Sequence, residues 1–458
     1  MNSINQIEEL RAKQLSFFLS GKTRDLKYRK KALCCLRDAI RKHEKDIYLA
    51  LNKDLNKCSF EAYGTETGIV LHEIRSMIRN LSRWAWGKAV TTPLFAFPSL
   101  SRVMPEPYGR VFIISPWNYP FQLPMVPLVG AIAAGNVAII RQSTSSPAMN
   151  ELVKNIVGEC LPEEHAAVID CSRECAEVVV NMKWDMIFFT GSTEVGKKIY
   201  AAAAKNLTPV ILELGGKSPV IVEEDAVLRV AARRIIWGKT LNAGQTCISP
   251  DYVFVHQKVK DELIKYMKLE IRKMFGEDPL TNPEMTRIIS ENAFDRLLSY
   301  ISEDQIITGG RHDKARLAIE PTIIGASLND RCMQDEIFGP VLPVISYTSI
   351  DEVITYLNSK EKPLALYFFS TSRKKQKKVM MGTSSGACLI NDVIVHIANK
   401  HLPFGGVGAS GIGKYHGKES LRAFSNLKAT MRTAPRIDIP LKYPPYGNKE
   451  KIMKLFLR

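Results

Sequence analysis

The stretch GRVFIISPWNYPFQLPMVPLVGAIAAGNVAIIR, residues 109–141, decides the fold. From Val111 to Ile140 it carries no charged residue, so hydropathy alone invites a membrane-spanning reading. Four prolines (116, 120, 124 and 127) and the polar Asn118, Gln122 and Asn136 interrupt it. No unbroken apolar run of about twenty residues is left to cross a bilayer. The pieces read instead as a buried strand (VFIIS), a loop (PWNYPFQ), a helix (LPMVPLVGAIAAG) and a second buried strand (VAIIR). Strands apolar on both faces and joined through a helix belong to a parallel sheet with helices on each side.

The same rhythm extends in both directions. AAVID, MIFFTG, PVILELGG and PVIVEED continue the strand-like runs to residue 225, with helical patterns between several of them. A second alternation follows Cys247: YVFVH, the helix KDELIKYMKLEIRKMFG, PVLPVI, the helix IDEVITYLN, and ALYFF. The first ninety residues are helical by periodicity, with Leu10, Leu15, Phe18, Leu33, Leu36, Ile40, Ile47 and Leu49 recurring among Lys, Arg and Glu. Residues 92–108 break that pattern with four prolines and form a candidate arm. The prediction is an α/β protein of two doubly wound parallel-sheet domains plus a small arm, as 458 residues are too many for one ordinary core.

Composition bounds the function. Apolar residues at 45% and charged residues at 24% describe an ordinary globular chain. The N-terminus MNSINQIEELRAKQ lacks the apolar core of a secretory signal. Nine scattered cysteines fit reduced thiols better than a disulfide framework, so a cytoplasmic protein is expected. Cys171 and Cys175 have no second Cys/His pair at zinc spacing, and no metal is expected. The net charge of +16 is spread along the chain, with short clusters such as KYRKK (27–31) and RKKQKK (373–378) that read as solvated helix faces. Without an RNP motif, zinc-finger spacing or a heptad array, no nucleic-acid partner is expected. The basic amphipathic end KEKIMKLFLR (449–458) reads as a solvated or packed tail, with weak contact to an anionic membrane surface as the alternative.

The one G-x-G-x-x-G, Gly406 to Gly411 in PFGGVGASGIGKYHG, has neither the strand before it nor the helix after it that would cradle a phosphate. It reads as a glycine-rich loop that needs close backbone packing. The better phosphate site is MIFFTGSTEVGKKIYAAA, where a strand ends in Thr190–Gly191–Ser192 and a helix starts near Thr193. Free amides at that helix start can bind a pyrophosphate.

A lone cysteine more often fills a core than reacts. Cys247, however, follows the small and polar run Asn242–Ala243–Gly244–Gln245–Thr246, a setting that gives a thiol access. Glu213 in PVILELGGKSPVIV is either a strand-end charge or a carboxylate whose apolar wall raises its pKa toward that of a general base. Asn118 in SPWNYPF can donate its amide to a developing oxyanion. Glu336 in QDEIFGPVLPV adds a carboxylate beside Phe338 and a tight Gly–Pro turn.

The segments SPWNYPF, PLVGAIAAGN, FFTGSTEVGKKI, LELGGKSPVIV, NAGQTC, EIFGPVLPV and HLPFGGVGASGIGKYHGKES stand in one order along the chain. Together they resemble the aldehyde dehydrogenase superfamily from about residue 100 to residue 430. The short N-terminus, QTCISPDYVFV, HLPFGG…GKYHGK and LKYPPY (441–446) resemble its class 3 branch, which takes medium- and long-chain aliphatic or aromatic aldehydes. The resemblance implies a Rossmann-like cofactor domain (1–90 and 105–212), a catalytic domain (213–400), an oligomerisation arm (91–104 and about 425–445) and a homodimer. It makes Cys247 the nucleophile, Glu213 the base that activates water, and Asn118 with the Cys247 amide the oxyanion site. The cofactor is implied to be NAD or NADP, held by Trp117, Gly191, Ser192, Gly196, Glu336 at the nicotinamide ribose and Phe338 near its ring. Lys239 either supports the site electrostatically or forms a surface salt bridge. Tyr63, Tyr119, Trp237 and Phe404 are candidates for an aromatic, uncharged substrate pocket.

One departure bears on the cofactor. Where the family usually shows Lys-Pro-Ser-Glu, this chain has Arg141-Gln142-Ser143-Thr144. Thr144 removes a negative charge that would repel the 2′-phosphate of NADP, and Arg141 adds a guanidinium fork. NADP use is therefore expected; the alternative has Thr144 bonding the 2′-hydroxyl of NAD and Arg141 in solvent. Two other functions compete: a CoA-acylating or thiol-acyltransfer enzyme on the same fold, against which Glu213 argues, and a non-enzymatic binding protein, against which Cys247, Glu213 and Asn118 together argue.

Overall fold

The structure, a computed structural model, describes residues 2–456. Two large sheets and a small one organise them. The first has six strands in the order Gly411–Ile412, Val210–Glu213, Met186–Thr190, Arg110–Ser115, Val137–Gln142 and Ala166–Ile169. All are parallel except the short Gly411–Ile412 edge, which pairs antiparallel with Val210–Glu213. The second has seven strands: Ile306–Thr308, Thr322–Gly325, Val341–Tyr347, Tyr252–His256, Pro219–Val222, Ala365–Phe369 and Ala387–Ile390, parallel except for Ile306–Thr308 at its edge. The two parallel sheets match the expected fold class. PVIVEED belongs to the second sheet, although in sequence it continues the rhythm of the first.

Strand alternation explains how the decisive segment folds. Val111 and Ile113 point into the core that contains the helix Gln122–Ala134. Phe112 and Ile114 point to the opposite face, against Trp184, Ile199 and Ala202. With both faces covered, no polar position survives between Arg110 and Ser115, the two ends of the strand. Gln122–Ala134 is buried along its whole length, which is why it lacks an amphipathic stripe and mimics a membrane span. It ends at Gly135 in the left-handed conformation (φ 96°), where an added Cβ would strike the Arg29 guanidinium. Arg29 donates to the carbonyls of Thr23 (2.6 Å), Arg24 (3.1 Å) and Ala133 (3.2 Å). The KYRKK cluster is thus not wholly a solvated face, because Arg29 is buried as a clamp on that helix end.

The expected N-terminal helices are Ile4–Leu19, Leu26–Lys42, Glu44–Leu55 and Gly68–Ala85. The proline-rich stretch forms the strand Ser99–Pro107, paired antiparallel with Lys88–Val90 and Ser425–Thr433. The basic end forms the helix Lys449–Phe456, and Leu457 and Arg458 of that segment lie outside the described residues. Among the described residues no helix is long and apolar enough to cross a membrane, and no cluster of His, Cys, Asp or Glu could hold a metal ion.

Candidate active site

Parallel strands end together, so the loops that follow them gather at one edge. Glu213, Thr190, Ser115 and Gln142 close four adjacent strands of the first sheet. The next residues along that edge are Gly191 and Ser192, Trp117 and Asn118, and then Ser143 and Thr144. Trp117, Arg141, Thr144, Gly191 and Ser192 are therefore brought into one row, whereas Glu336 and Phe338 come from the loop before Val341–Tyr347 of the second sheet.

Cys247 reaches this edge through a run of left-handed backbone at Asn242 (φ 53°), Ala243 (φ 51°) and Gly244 (φ 73°), just after the helix Leu228–Thr240. Hydrogen bonds hold the run. Asn242 Nδ2 donates to the carbonyls of Asn118 (2.9 Å) and Gln245 (3.1 Å), and its amide donates to Glu61 Oε1 (2.9 Å). Asn118 Nδ2 donates to the Gln245 carbonyl (3.0 Å), and Tyr119 and Thr246 share a hydroxyl contact of 2.6 Å. The SPWNYPF loop is thereby tied to the cysteine loop, with the second Asn118 amide hydrogen left for another acceptor.

Two cavities meet at Cys247, and both are lined by Cys247 and Glu213. The first, about 160 Å³, is walled mostly by apolar side chains and contains Tyr119, Trp237 and Phe404. Tyr63, the fourth expected pocket residue, lines a neighbouring cavity instead and is 46% exposed. The cause is local: the π-helical turn Tyr63–Thr67 presents Gly64 and Thr65 to the first cavity in its place. Ile69, Leu123 and Ile394, which no motif signalled, complete much of the wall.

The second cavity, about 290 Å³, is lined by Trp117, Asn118, Gly191, Ser192, Glu336 and Phe338 among others. Ser192 caps the helix Thr193–Ala204, its Oγ accepting from the Val195 amide at 3.4 Å. Phe338 packs edge-on against Trp117 with ring centres 5.7 Å apart. A Cβ on Gly215 would run into the Glu336 carboxylate, so only glycine leaves that space open. The cleft, its helix start and the unpartnered buried Thr190 hydroxyl fit a dinucleotide. Gly196 lies away from the cavity, where a Cβ would strike Leu214, so it serves close helix–strand packing. Arg141 and Thr144 lie further along the edge and line neither cavity; Arg141 Nε is buried without a partner, and Thr144 is exposed.

Glu213 is buried, and neither carboxylate oxygen has a hydrogen-bond partner. Burial pushes its pKa well above the usual carboxylate range, opposed only in part by Lys414. Burial raises the Cys247 thiol too, and the nearby Glu336 and Glu213 add to the effect. Glu336 rises to about 8, through burial first and Asp251 second. Lys239 is 2% exposed with its Nζ unpartnered, which removes the surface salt-bridge alternative. Burial lowers it to about 8, while Asp251 and Glu336 pull it upward. The glycine-rich decoy has a structural place: Gly411 pairs with Glu213, and a Cβ on Gly405 would meet the Glu213 carboxylate at 2.8 Å. From that loop Lys414 donates to the Gly405 carbonyl, setting a cation near Glu213 that its sequence context did not reveal.

Comparison with known proteins agrees with this architecture. The model of the aldehyde dehydrogenase family matches residues 5–430. The chain is 43% identical over 458 residues to the 4,4'-diaponeurosporen-aldehyde dehydrogenase of Staphylococcus aureus, covering 99% of this chain and 100% of that one. It is 41% identical over 445 residues to the dimeric, NADP-preferring aldehyde dehydrogenase of Canis lupus familiaris, covering 96% and 98%. Several further relatives are named family 3 aldehyde dehydrogenases. A solved structure described as the substrate-bound state of Staphylococcus aureus AldH is similar at a TM-score of 0.97 and 42% identity, covering 100% of both chains. The protein is an oxidoreductase that uses a nicotinamide dinucleotide, and its chain belongs to the aldehyde dehydrogenase family, in the class 3 branch.

Proposed function

We propose that this enzyme oxidises apolar aliphatic or aromatic aldehydes to carboxylic acids, with Cys247 as nucleophile and water as the final acyl acceptor. The observation that carries this reading is the position of Cys247 and Glu213, which front both the apolar cavity and the cleft of Trp117, Ser192, Glu336 and Phe338. Cys247 as thiolate adds to the aldehyde carbon, and the carbonyl π electrons move to oxygen to give a thiohemiacetal. Asn118 Nδ2 and the Cys247 amide donate to that oxyanion, each donor contributing about 3–4 kcal/mol in such a site. When bound, the nicotinamide supplies the two-electron acceptor that leaves the substrate as a Cys247 thioester. Glu213 then takes a proton from water, hydroxide equivalent adds to the thioester, and the Cys247–acyl bond breaks to free the acid. Trp117, Gly191, Ser192, Gly196, Glu336 and Phe338 hold or shape the cofactor cleft in this reading. A buried base with no other partner favours hydrolysis over transfer to a thiol such as CoA.

The apolar cavity sets the substrate expectation. Alkyl and aromatic aldehydes of about six or more carbons should show higher kcat/KM than succinic semialdehyde, because each buried methylene contributes up to about 0.8 kcal/mol. Steady-state kinetics on the two classes test this, and a preference for succinic semialdehyde refutes it.

Arg141 and Thr144 carry the cofactor expectation. NADP should serve at least comparably to NAD, as a charge-assisted hydrogen bond to the 2′-phosphate contributes about 1.5–3 kcal/mol, a ten- to hundredfold shift. The name of the NADP-preferring canine relative supports this. Thr144→Glu and Arg141→Ala should each lower kcat/KM for NADP selectively. Wild-type preference for NAD by more than about a hundredfold would refute the role of these residues.

The division into a dinucleotide-binding domain (1–90 and 105–212), a catalytic domain (213–400) and an oligomerisation arm (91–104 and about 425–445) accompanies this reading. Leu94, Phe97, Leu100 and Met431 on the arm are 56–73% exposed, which suits burial in a homodimer, and the canine relative is named dimeric. Nine unpaired cysteines suit a reducing compartment such as the cytoplasm.

A further inference from the structure

Beyond the apolar cavity lies another of about 310 Å³, and Gly64, Ile69, Ile397 and Ala398 line both. The second space therefore adjoins the apolar cavity along these four residues. Its character is different. His72, Arg75 and Arg79 stand exposed at three- and four-residue spacing on the helix Gly68–Ala85, so they share one face. Lys400 and His401 approach from the segment after the turn Val395–Ala398. His72, Arg75 and Lys400 line the cavity, and the pKa of His72 is lowered by burial first and then by Lys400, Arg75, His401 and Arg79. Among the described residues, none of these five side chains makes an ion pair or a hydrogen bond. The carboxylate in the lining, Glu73, is buried and engaged by the Gly417 amide (2.8 Å) and the Ser420 hydroxyl (3.2 Å). Burial raises it to about 7, against those donors and Lys400.

We infer that this cationic cavity binds the far end of long substrates that carry a terminal carboxylate, making the enzyme selective for long ω-oxo acids. The inference rests on Cys247 being the reacting thiol. Converging positive charge in excess of the one carboxylate in the lining, Glu73, concentrates anions, and an arginine fork matches a carboxylate. The apolar cavity has no such partner and would desolvate a carboxylate held within it. Chain length therefore decides: the carboxylate of succinic semialdehyde stays in the apolar part, whereas that of a long ω-oxo acid clears it.

The test is a series of ω-oxo acids of increasing length, each beside its methyl ester, which keeps the length and removes the charge. Above a threshold length the acid should exceed its ester in kcat/KM by about tenfold, with the advantage shrinking as salt rises. In the double variant Arg75→Gln/Lys400→Gln the acid-to-ester ratio should fall toward unity; Arg75 is exposed and Lys400 half-buried, and glutamine keeps most of the length of either side chain, so the fold is retained. Equal acids and esters at every length, or a ratio untouched by the double substitution, overturn the inference while leaving the proposed function intact. Faster oxidation of long alkyl aldehydes on anionic phospholipid vesicles, dependent on Arg75 and Lys400 and without an acid-to-ester ratio, would make the cluster a lipid-facing surface and overturn it too. No turnover of any aldehyde would strike the proposed function itself, and this inference with it.

Discussion

Cys247→Ala is expected to lower steady-state aldehyde oxidation by about 10⁴-fold or more, with dinucleotide binding intact. The size follows from the chemistry. Without sulfur no thiohemiacetal forms, and the other polar groups that line both cavities, Glu213 and the Thr190 hydroxyl, are poor substitutes for a thiolate. Binding survives because the cleft is otherwise lined by Trp117, Ser192, Glu336 and Phe338, whose positions owe nothing to the thiol. The Cys247 side chain is partly exposed to the cavities, and alanine fits the same backbone, so the loop tied down by Asn242 and Asn118 should keep its shape. Aldehyde turnover and dinucleotide titration on the same preparation check this. Substantial NAD(P)H formation by a folded variant would refute the nucleophile.

Glu213→Gln is expected to stop the cycle at the thioester. A positioned general base contributes about 10²- to 10⁴-fold, so steady-state turnover should fall by that factor while one equivalent of NAD(P)H still forms in a burst. The pH dependence has a definite sign. A base acts when ionised, and burial places the Glu213 pKa well above the ordinary carboxylate range. Deacylation should therefore weaken as pH falls through that raised value and hold above it. Pre-steady-state measurements across pH separate this limb from that of the Cys247 thiol, which must also lose a proton but acts before the burst. Glutamine has no such ionisation, so the deacylation limb should vanish in the variant. Undiminished turnover by Glu213→Gln would remove Glu213 from this role.

Much of this was legible in the chain itself because the signals are local. The charge-free 111–140 segment can satisfy its backbone only as strand, helix and strand under cover, and its prolines and polar residues exclude a membrane span. The start of Thr193–Ala204 after a buried strand identified the helix N-terminus, since both capping serine and strand are contiguous. The glycine-rich loop was separable from a phosphate site for the same reason, lacking strand and helix in its own neighbourhood. By contrast, Ala387–Ile390 carries no such local signal, being a short, half-buried edge strand whose identity comes from pairing with Ala365–Phe369.

The sequence by itself determined the residue types available for the chemistry, the alternation that builds two parallel sheets, and the loss of a negative charge at Thr144. Only the tertiary structure decided how they meet. That Glu213 and Cys247 front the same two cavities depends on a strand end and a loop brought together across the space between two sheets. That Lys239 is buried rather than salt-bridged and that Arg29 clamps a helix end are outcomes of packing between distant segments. Periodicity reports which face of an element is apolar; it carries no information on which other element covers that face. Desolvation, which sets the raised carboxyl of Glu213 and the lowered ammonium of Lys239, exists only once that covering is complete.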